Sequence, residues 1–406
     1  RQEIDFSTEK KFEIFNNSDF KFCETYPKKL IVPYNMSNED LAGCAEFRTK
    51  NRIPTLTYRY KKNKCCIWRS SQTRSGFSGI SKSDIKLLTK IADGKKLFIY
   101  DARPYLNAYA NKLKGAGFEN VKDYKDIDVE LIFCGMSNIH AVRNSFQKIT
   151  SNVSYSTNNE STNFINITNS GWYEAIIILL KSSFQIYNSV REGNNVLIHC
   201  SDGWDRTPQL VTVSQLLLDP FYRSINGFAI LIEKDWLSFG HQFGLRNGFS
   251  DKEKQDQASP IFLQFLDAVH QLLEQFPNAF EFNEKFLLFL AKNYRINLYG
   301  TFMYNNEKER REQNAKFDTA SVWTEIFCDL KPYLNVYYDP NSVKILEPNY
   351  SYYNLKLWNS LFMENNIYLE NKGKFMTDKL SDEEKIDIFL LLILLLVDQI
   401  NKNTLI

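Results

Sequence analysis

The sequence predicts an α/β fold: a central, mostly parallel sheet flanked by helices, followed by an enlarged helical C-terminal part. Two patterns carry that expectation. Between Ser83 and Leu218, apolar runs of strand length alternate with longer runs of helical periodicity, as crossover connections between parallel strands require. Beyond Leu218 the strand-like runs stop and helical periodicity continues alone. Hydrophobic side chains make up 43% of the 406 residues and aromatics 15%, enough for a substantial core and too much for a disordered chain.

The first two dozen residues have little periodicity. Lys29–Pro33 then reads as a short strand, and Ser37-Asn38-Glu39-Asp40 opens a helix with a capping box. Ile53–Tyr60 and Cys65–Arg69 alternate as the arms of a hairpin across Lys61-Lys62-Asn63-Lys64, a basic, solvated tip. Ser83 is expected to cap a helix running through Ile91. Lys96–Tyr100 is a buried strand, a helix follows Pro104 and stops near Gly115, and Glu130–Cys134 is a further strand. A helix is expected from about Asn138 to Lys148, and the Asn/Ser/Thr-rich Ser151–Ser170 reads as a polar loop. Trp172–Val190 is a long helix leading into the strand Asn195–His199. Later helices are expected at Phe221–Leu237, Pro260–Phe276, Asn283–Leu298, Leu355–Met363 and Ser381–Asn401, with a polar loop at Asn247–Ser259.

Several function classes drop out. A net charge of +2 is too small for a nucleic-acid face. Seven cysteines with no framework spacing and no Cys-x-x-Cys pair fit a reducing cytosol, and four scattered histidines argue against a zinc site. The polar start lacks the pattern of a signal peptide, and the longest apolar run, Ile388–Val397, is about half a membrane span.

The most informative stretch is Val196-Leu197-Ile198-His199-Cys200-Ser201-Asp202-Gly203-Trp204-Asp205-Arg206-Thr207. A strand runs into a cysteine, a tight polar loop follows, and an arginine six residues on begins a buried helix with Pro208 in its first turn. Loop amides and the helix end form an anion cradle. Arg206 can grip two phosphate oxygens side by side, and its field favours Cys200 as thiolate. A thiolate beneath a bound phosphate is a nucleophile for phosphoryl transfer. A buried cysteine at a strand end is often mere packing. Here Cys200 alone among the seven has an arginine six residues on, and the intervening aspartates and glycine would make poor core.

Phosphate-ester hydrolysis also needs an acid for the leaving oxygen. Asp202 and Asp205 are both candidates. Asp205 could equally cap the helix, and Asp202 could clamp a substrate hydroxyl. His199 reads as a buried residue shaping the cradle, whereas His241 and Arg246 could face the site from across the fold. Lys50-Asn51-Arg52 mimics a phosphotyrosine-recognition loop. It is discounted because no Trp-Pro-Asp acid loop accompanies it.

His199-Cys200-Ser201-Asp202-Gly203-Trp204-Asp205-Arg206-Thr207 resembles the signature of the myotubularin phosphatases, cysteine-dependent enzymes acting on phosphoinositides. Similar stretches extend over most of the chain, among them Tyr100-Asp101-Ala102-Arg103-Pro104, Ala110-Asn111-Lys112, Asn138-Ile139-His140, Glu233–His241 and Pro277–Glu284. The resemblance implies a fold like that of the protein tyrosine phosphatases. It also implies removal of the 3-phosphate from phosphatidylinositol 3-phosphate and 3,5-bisphosphate through a phosphocysteine, with no metal or other cofactor. It makes Asp205 the favoured acid and surrounds the substrate with Ser201, Gly203, Trp204, Asn111, Asn138 and Ile139. Of two basic positions that read the remaining phosphates, Arg246 matches one. The other falls on Gln242, which leaves headgroup preference open.

The resemblance divides the chain into a lead-in over residues 1–22, where the family's pleckstrin-like domain is not recognisable, a phosphatase domain over 23–377 and a terminal helix over 378–406. It implies a cytoplasmic protein, peripheral on endosomal or phagosomal-type membranes that carry phosphoinositides. It implies no nucleic-acid partner, and a homo- or heterodimer through the C-terminal helix. Two other readings use the same loop: a lipid-binding scaffold without activity, against which stand the intact Cys200 and Arg206, and a protein phosphatase, against which stands the missing acid loop.

Overall fold

The computed structural model describes residues 10–154, 165, 167–248, 256–341 and 345–362. The expected Ser381–Asn401 helix, and with it the 378–406 segment, lies outside them. The strands are β1 (Phe12–Asn16), β2 (Lys29–Pro33), β3 (Thr55–Arg59), β4 (Cys66–Ser70), β5 (Leu97–Asp101), β6 (Val129–Phe133) and β7 (Asn195–His199). The principal helices are α1 (Asn38–Phe47), α2 (Lys82–Ala92), α3 (Tyr105–Leu113), α4 (Ile139–Ser154), α5 (Trp172–Arg191), α6 (Arg206–Leu218), α7 (Ile225–Ile232), α8 (Ile261–Gln275) and α9 (Glu284–Ile296).

Five strands form the central sheet in the order β3-β4-β7-β5-β6. Only the β3–β4 hairpin is antiparallel; the other three neighbour pairs are parallel. Alternation along β7 feeds both faces. Val196 and Ile198 join the larger core with α5, α6, α8 and α9, whereas Leu197 joins a second core with α1, α2 and the β1–β2 ribbon. Residues 10–22 of the lead-in are therefore part of this fold: β1 pairs with β2, and the Phe12 ring lies 6.0 Å from Trp68. The register aligns Ser70 and Asp101 with His199, so β4, β7 and β5 end together. Their carboxyl ends frame the loop after β7, the position where open α/β sheets bind ligands.

Local chemistry explains where elements begin. Ser37 and Asp40 make the expected capping box on α1. The cap of α2 is Ser81 rather than Ser83: the Ser81 hydroxyl accepts from the Asp84 amide at 3.2 Å, and Ser83 falls in the first turn. α4 runs on to Ser154, into the stretch expected as loop, and within it Thr150 and Ser151 satisfy their hydroxyls on carbonyls one turn earlier. Phe221–Leu237 is broken into three pieces: a 3-10 turn (Pro220–Arg223), α7 capped by Ser224, and a π-turn (Glu233–Ser238). The helix expected over Leu355–Met363 begins only at Asn359; Leu355–Trp358 is not helical, and there Gln271 of α8 holds both the amide and the carbonyl of Lys356.

Candidate active site

The loop between β7 and α6 is held from outside by its carbonyls. Cys200 O accepts from His199 Nδ1 at 3.2 Å, and Ser201 O from the Gln72 amide at 3.0 Å. Gly203 O accepts from both Arg52 Nη2 at 3.1 Å and Arg69 Nη2 at 3.0 Å. Trp204 O accepts from His241 Nδ1 at 2.7 Å. With these carbonyls engaged outward, amides are left for the centre, the arrangement that makes a loop an anion cradle. The Gly203 amide donates to Cys200 Sγ at 3.3 Å. Gly203 itself has φ +79°, and a Cβ there would stand 2.3 Å from Ser70 O, so only glycine fits.

Cys200 is buried in electropositive surroundings. Burial alone would raise the Cys200 thiol's pKa, but Arg206, the Thr207 hydroxyl and the Gly203 amide together bring it below the ordinary value. Arg206 starts α6, all of whose residues are buried. Its guanidinium donates to Met136 O and to Ser201 Oγ, each at 3.3 Å. Behind the loop, buried His199 sets Nε2 2.9 Å from Glu119, which also holds Arg48 at 2.6 Å. Burial disfavours the imidazolium, yet Glu119 and Asp101 raise the pKa of His199 above its usual value.

The two aspartates have opposite surroundings. Asp205 is gripped side by side by Arg246, Nε to Oδ1 at 3.0 Å and Nη2 to Oδ2 at 2.8 Å, with His241 Nδ1 at 3.2 Å. Burial pushes its pKa up, but Arg246 and His241 outweigh that and hold the carboxyl well below the usual range. Asp202 is half-buried, and burial followed by the charge on Asp205 raises its pKa.

The other expected residues fall around this centre in different ways. Asn111 on α3 donates to Gln72 Oε1 at 3.3 Å, and Gln72 in turn holds Ser201. Asn138 is the cap of α4, accepting from the Ala141 amide at 3.0 Å, and Ile139 begins that helix. This segment follows Met136, the residue on which Arg206 rests. Gln242 departs from expectation. It is buried, and its amide nitrogen donates to Gly240 O at 3.0 Å and Asn305 O at 3.3 Å, so it presents no donor to a headgroup as it stands. Trp204 is half-buried, with the Arg52 guanidinium 5.6 Å from its ring.

Sequence reasoning missed the supports. Arg52, discounted with its neighbours as mimicry, buttresses Gly203. Arg69, its partner there, is fixed by Asp235 at 3.0 Å, and Asp235 sits in the π-turn that breaks the expected long helix. The one available signal was an unusual set of arginines in otherwise apolar, strand-like surroundings. Among the described residues, no helix is long and apolar enough to cross a membrane.

Comparison with known proteins places this geometry in context. The family model for the myotubularin-like phosphatase domain matches residues 1–311. Myotubularin of Xenopus laevis is 41% identical over 351 residues, 85% of this chain and 58% of that protein. Mus musculus phosphatidylinositol-3,5-bisphosphate 3-phosphatase MTMR2 is 42% identical over 349 residues, 84% of this chain and 54% of the relative. The Homo sapiens phosphatidylinositol-3,5-bisphosphate 3-phosphatase MTMR4 is 38% identical over 396 residues, covering 86% of this chain and 33% of its own length. The chain thus spans between a third and three-fifths of these relatives.

Proposed function

The chain belongs to the myotubularin-like phosphatase family, and we propose that it removes the 3-phosphate from phosphatidylinositol 3-phosphate and 3,5-bisphosphate, using the protein tyrosine phosphatase-like fold that family membership suggests. The observation that carries this reading is Cys200 Sγ, with its lowered pKa, beneath the Gly203 amide and beside Arg206. In the first step the thiolate attacks phosphorus, a S–P bond forms, and the P–O bond to the inositol breaks. Loop amides and Arg206 stabilise the charge on the equatorial oxygens. Water then cleaves the phosphocysteine, releasing inorganic phosphate and restoring the thiolate.

Asp205 is the proposed donor to the leaving inositol oxygen, and the substrate itself arms it. A headgroup phosphate that recruits Arg246 takes the guanidinium off Asp205 and brings negative charge close, and both changes raise the carboxyl's proton affinity. A second reading gives the proton to Asp202, whose pKa is already raised before substrate arrives. Two sets of named relatives acting on the 3,5-bisphosphate support that lipid as a substrate, whereas Gln242, with its amide engaged by backbone, supports a weaker grip on a second phosphate.

The covalent step has a direct test. Rapid acid quench during turnover of 3-phosphate-labelled phosphatidylinositol 3-phosphate should leave label on the peptide containing Cys200. Absence of labelled enzyme during active turnover would overturn the phosphocysteine route.

A further inference from the structure

A protein that takes its substrate from a bilayer must bring its catalytic loop to the headgroup layer. The surface beside the loop is unusual for a water-facing one. α3 exposes Tyr105, Leu106, Tyr109 and Leu113, which fall within one narrow stripe of the helix. Leu106 is 76% exposed and Leu113 75%. Phe77, 77% exposed, extends the stripe from the adjoining turn Ser75–Ser78: its ring covers Gly115, and its amide donates to Gly115 O at 3.2 Å. A cluster of exposed large apolar side chains of this kind marks an interaction surface rather than ordinary surface scatter.

Charge and position narrow the partner to one. No acidic residue lies on α3, while Lys112 and Lys114 stand at its C-terminal end and exposed Arg74 precedes the Phe77 turn. Apolar side chains flanked by cations, with tyrosines between, suit the interface of an anionic bilayer: leucine and phenylalanine reach the acyl boundary and lysine stays among headgroups. The opposite side of the same helix holds Asn111, which contacts Gln72, whose amide holds Ser201 of the catalytic loop. Two contacts therefore join the apolar stripe to the cradle.

We propose that α3 and the Phe77 turn form the face by which this chain docks on anionic phospholipid membranes, inserting Phe77, Leu106 and Leu113 while the cradle engages a headgroup. This rests on the phosphoinositide reading above for the purpose of docking, but the surface can be tested separately from the chemistry.

The double variant Leu106→Asp/Leu113→Asp and the single variant Phe77→Ser would be compared with the unaltered chain. Two measurements are needed: cosedimentation with vesicles of phosphatidylcholine and phosphatidylserine, and turnover of phosphatidylinositol 3-phosphate, in those vesicles and as a soluble short-chain lipid. Vesicle binding and vesicle turnover should fall by about tenfold or more in the double variant, since two leucines that would insert into the bilayer are replaced by charges, with a smaller fall for Phe77→Ser. Soluble-substrate turnover should be unchanged. Undiminished vesicle binding in the double variant would overturn the proposal, as would equal loss on soluble and vesicle substrates. If instead solution mass fell from two copies to one with vesicle binding intact, the face would be a contact between copies and the proposal would also fail. No turnover of either substrate by the unaltered chain, with Leu106-dependent vesicle binding retained, would remove the proposed activity and leave the docking face standing.

Discussion

Asp205 is caught between two partners at the residue scale. Arg246 and His241 keep it ionised, yet the proposed reaction needs it protonated when the inositol oxygen departs. Substrate-driven exchange of Arg246 reconciles the two, and leaving-group chemistry tests it. An alkoxide leaving group needs the acid, whereas a nitrophenolate hardly does. Asp205→Asn should therefore cost about a hundredfold or more on the lipid and much less on p-nitrophenyl phosphate. If the leaving-group-sensitive loss appears in Asp202→Asn instead, the proton belongs to Asp202. Cys200, Arg206 and both aspartates were legible in the sequence because one short loop fixes their spacing. Arg52 was not, since its partner Gly203 lies 151 residues away and only the folded sheet brings them together.

Elements were legible where one local signal governs them. The β7–loop–α6 unit and the Ser37 cap follow from neighbouring residues. The continuous helix expected over Phe221–Leu237 failed because tertiary bonding wins there: Asp235 must reach Arg69, Thr57 and Gln215, and the backbone widens into a π-turn to place it. Another long-range tie joins α5 to α8, where Trp172 Nε1 donates to Asp267 Oδ2 at 2.7 Å and Gln271 to Oδ1 at 2.8 Å. Burial exceeds the effect of both donors and pushes the Asp267 pKa up to about 7. An aspartate in an unfolded chain titrates near 3.9. As pH rises from about 4 to about 7, the unfolded chain gives up this proton before the folded one, so stability drains away across that window and levels above it. Asp267→Asn should narrow the difference in unfolding free energy between pH 5 and pH 8 by roughly 2–3 kcal/mol. Denaturant titrations at the two pH values check this; an unchanged difference would mean Asp267 is ionised in the folded chain.

For the whole molecule, one sheet organises both chemistry and approach. Its central strand delivers Cys200, its neighbours deliver Gln72 and Asp101, and the helix following β5 carries Asn111 on one side and the exposed apolar stripe on the other. The overall α/β class was readable from alternating periodicity. The contribution of residues 10–22 to the second core was not, because a short ribbon strand such as β1 is defined by its pairing with β2 rather than by its own pattern. Phosphate release from each phosphorylated phosphatidylinositol, with Cys200→Ser beside the unaltered chain, is the decisive measurement for a cysteine-dependent 3-phosphatase. Release is expected from the 3-phosphate and the 3,5-bisphosphate, none from the 4- or 5-monophosphates, and none with Cys200→Ser. Release confined to lipids lacking a 3-phosphate, or equal release by Cys200→Ser, would contradict it.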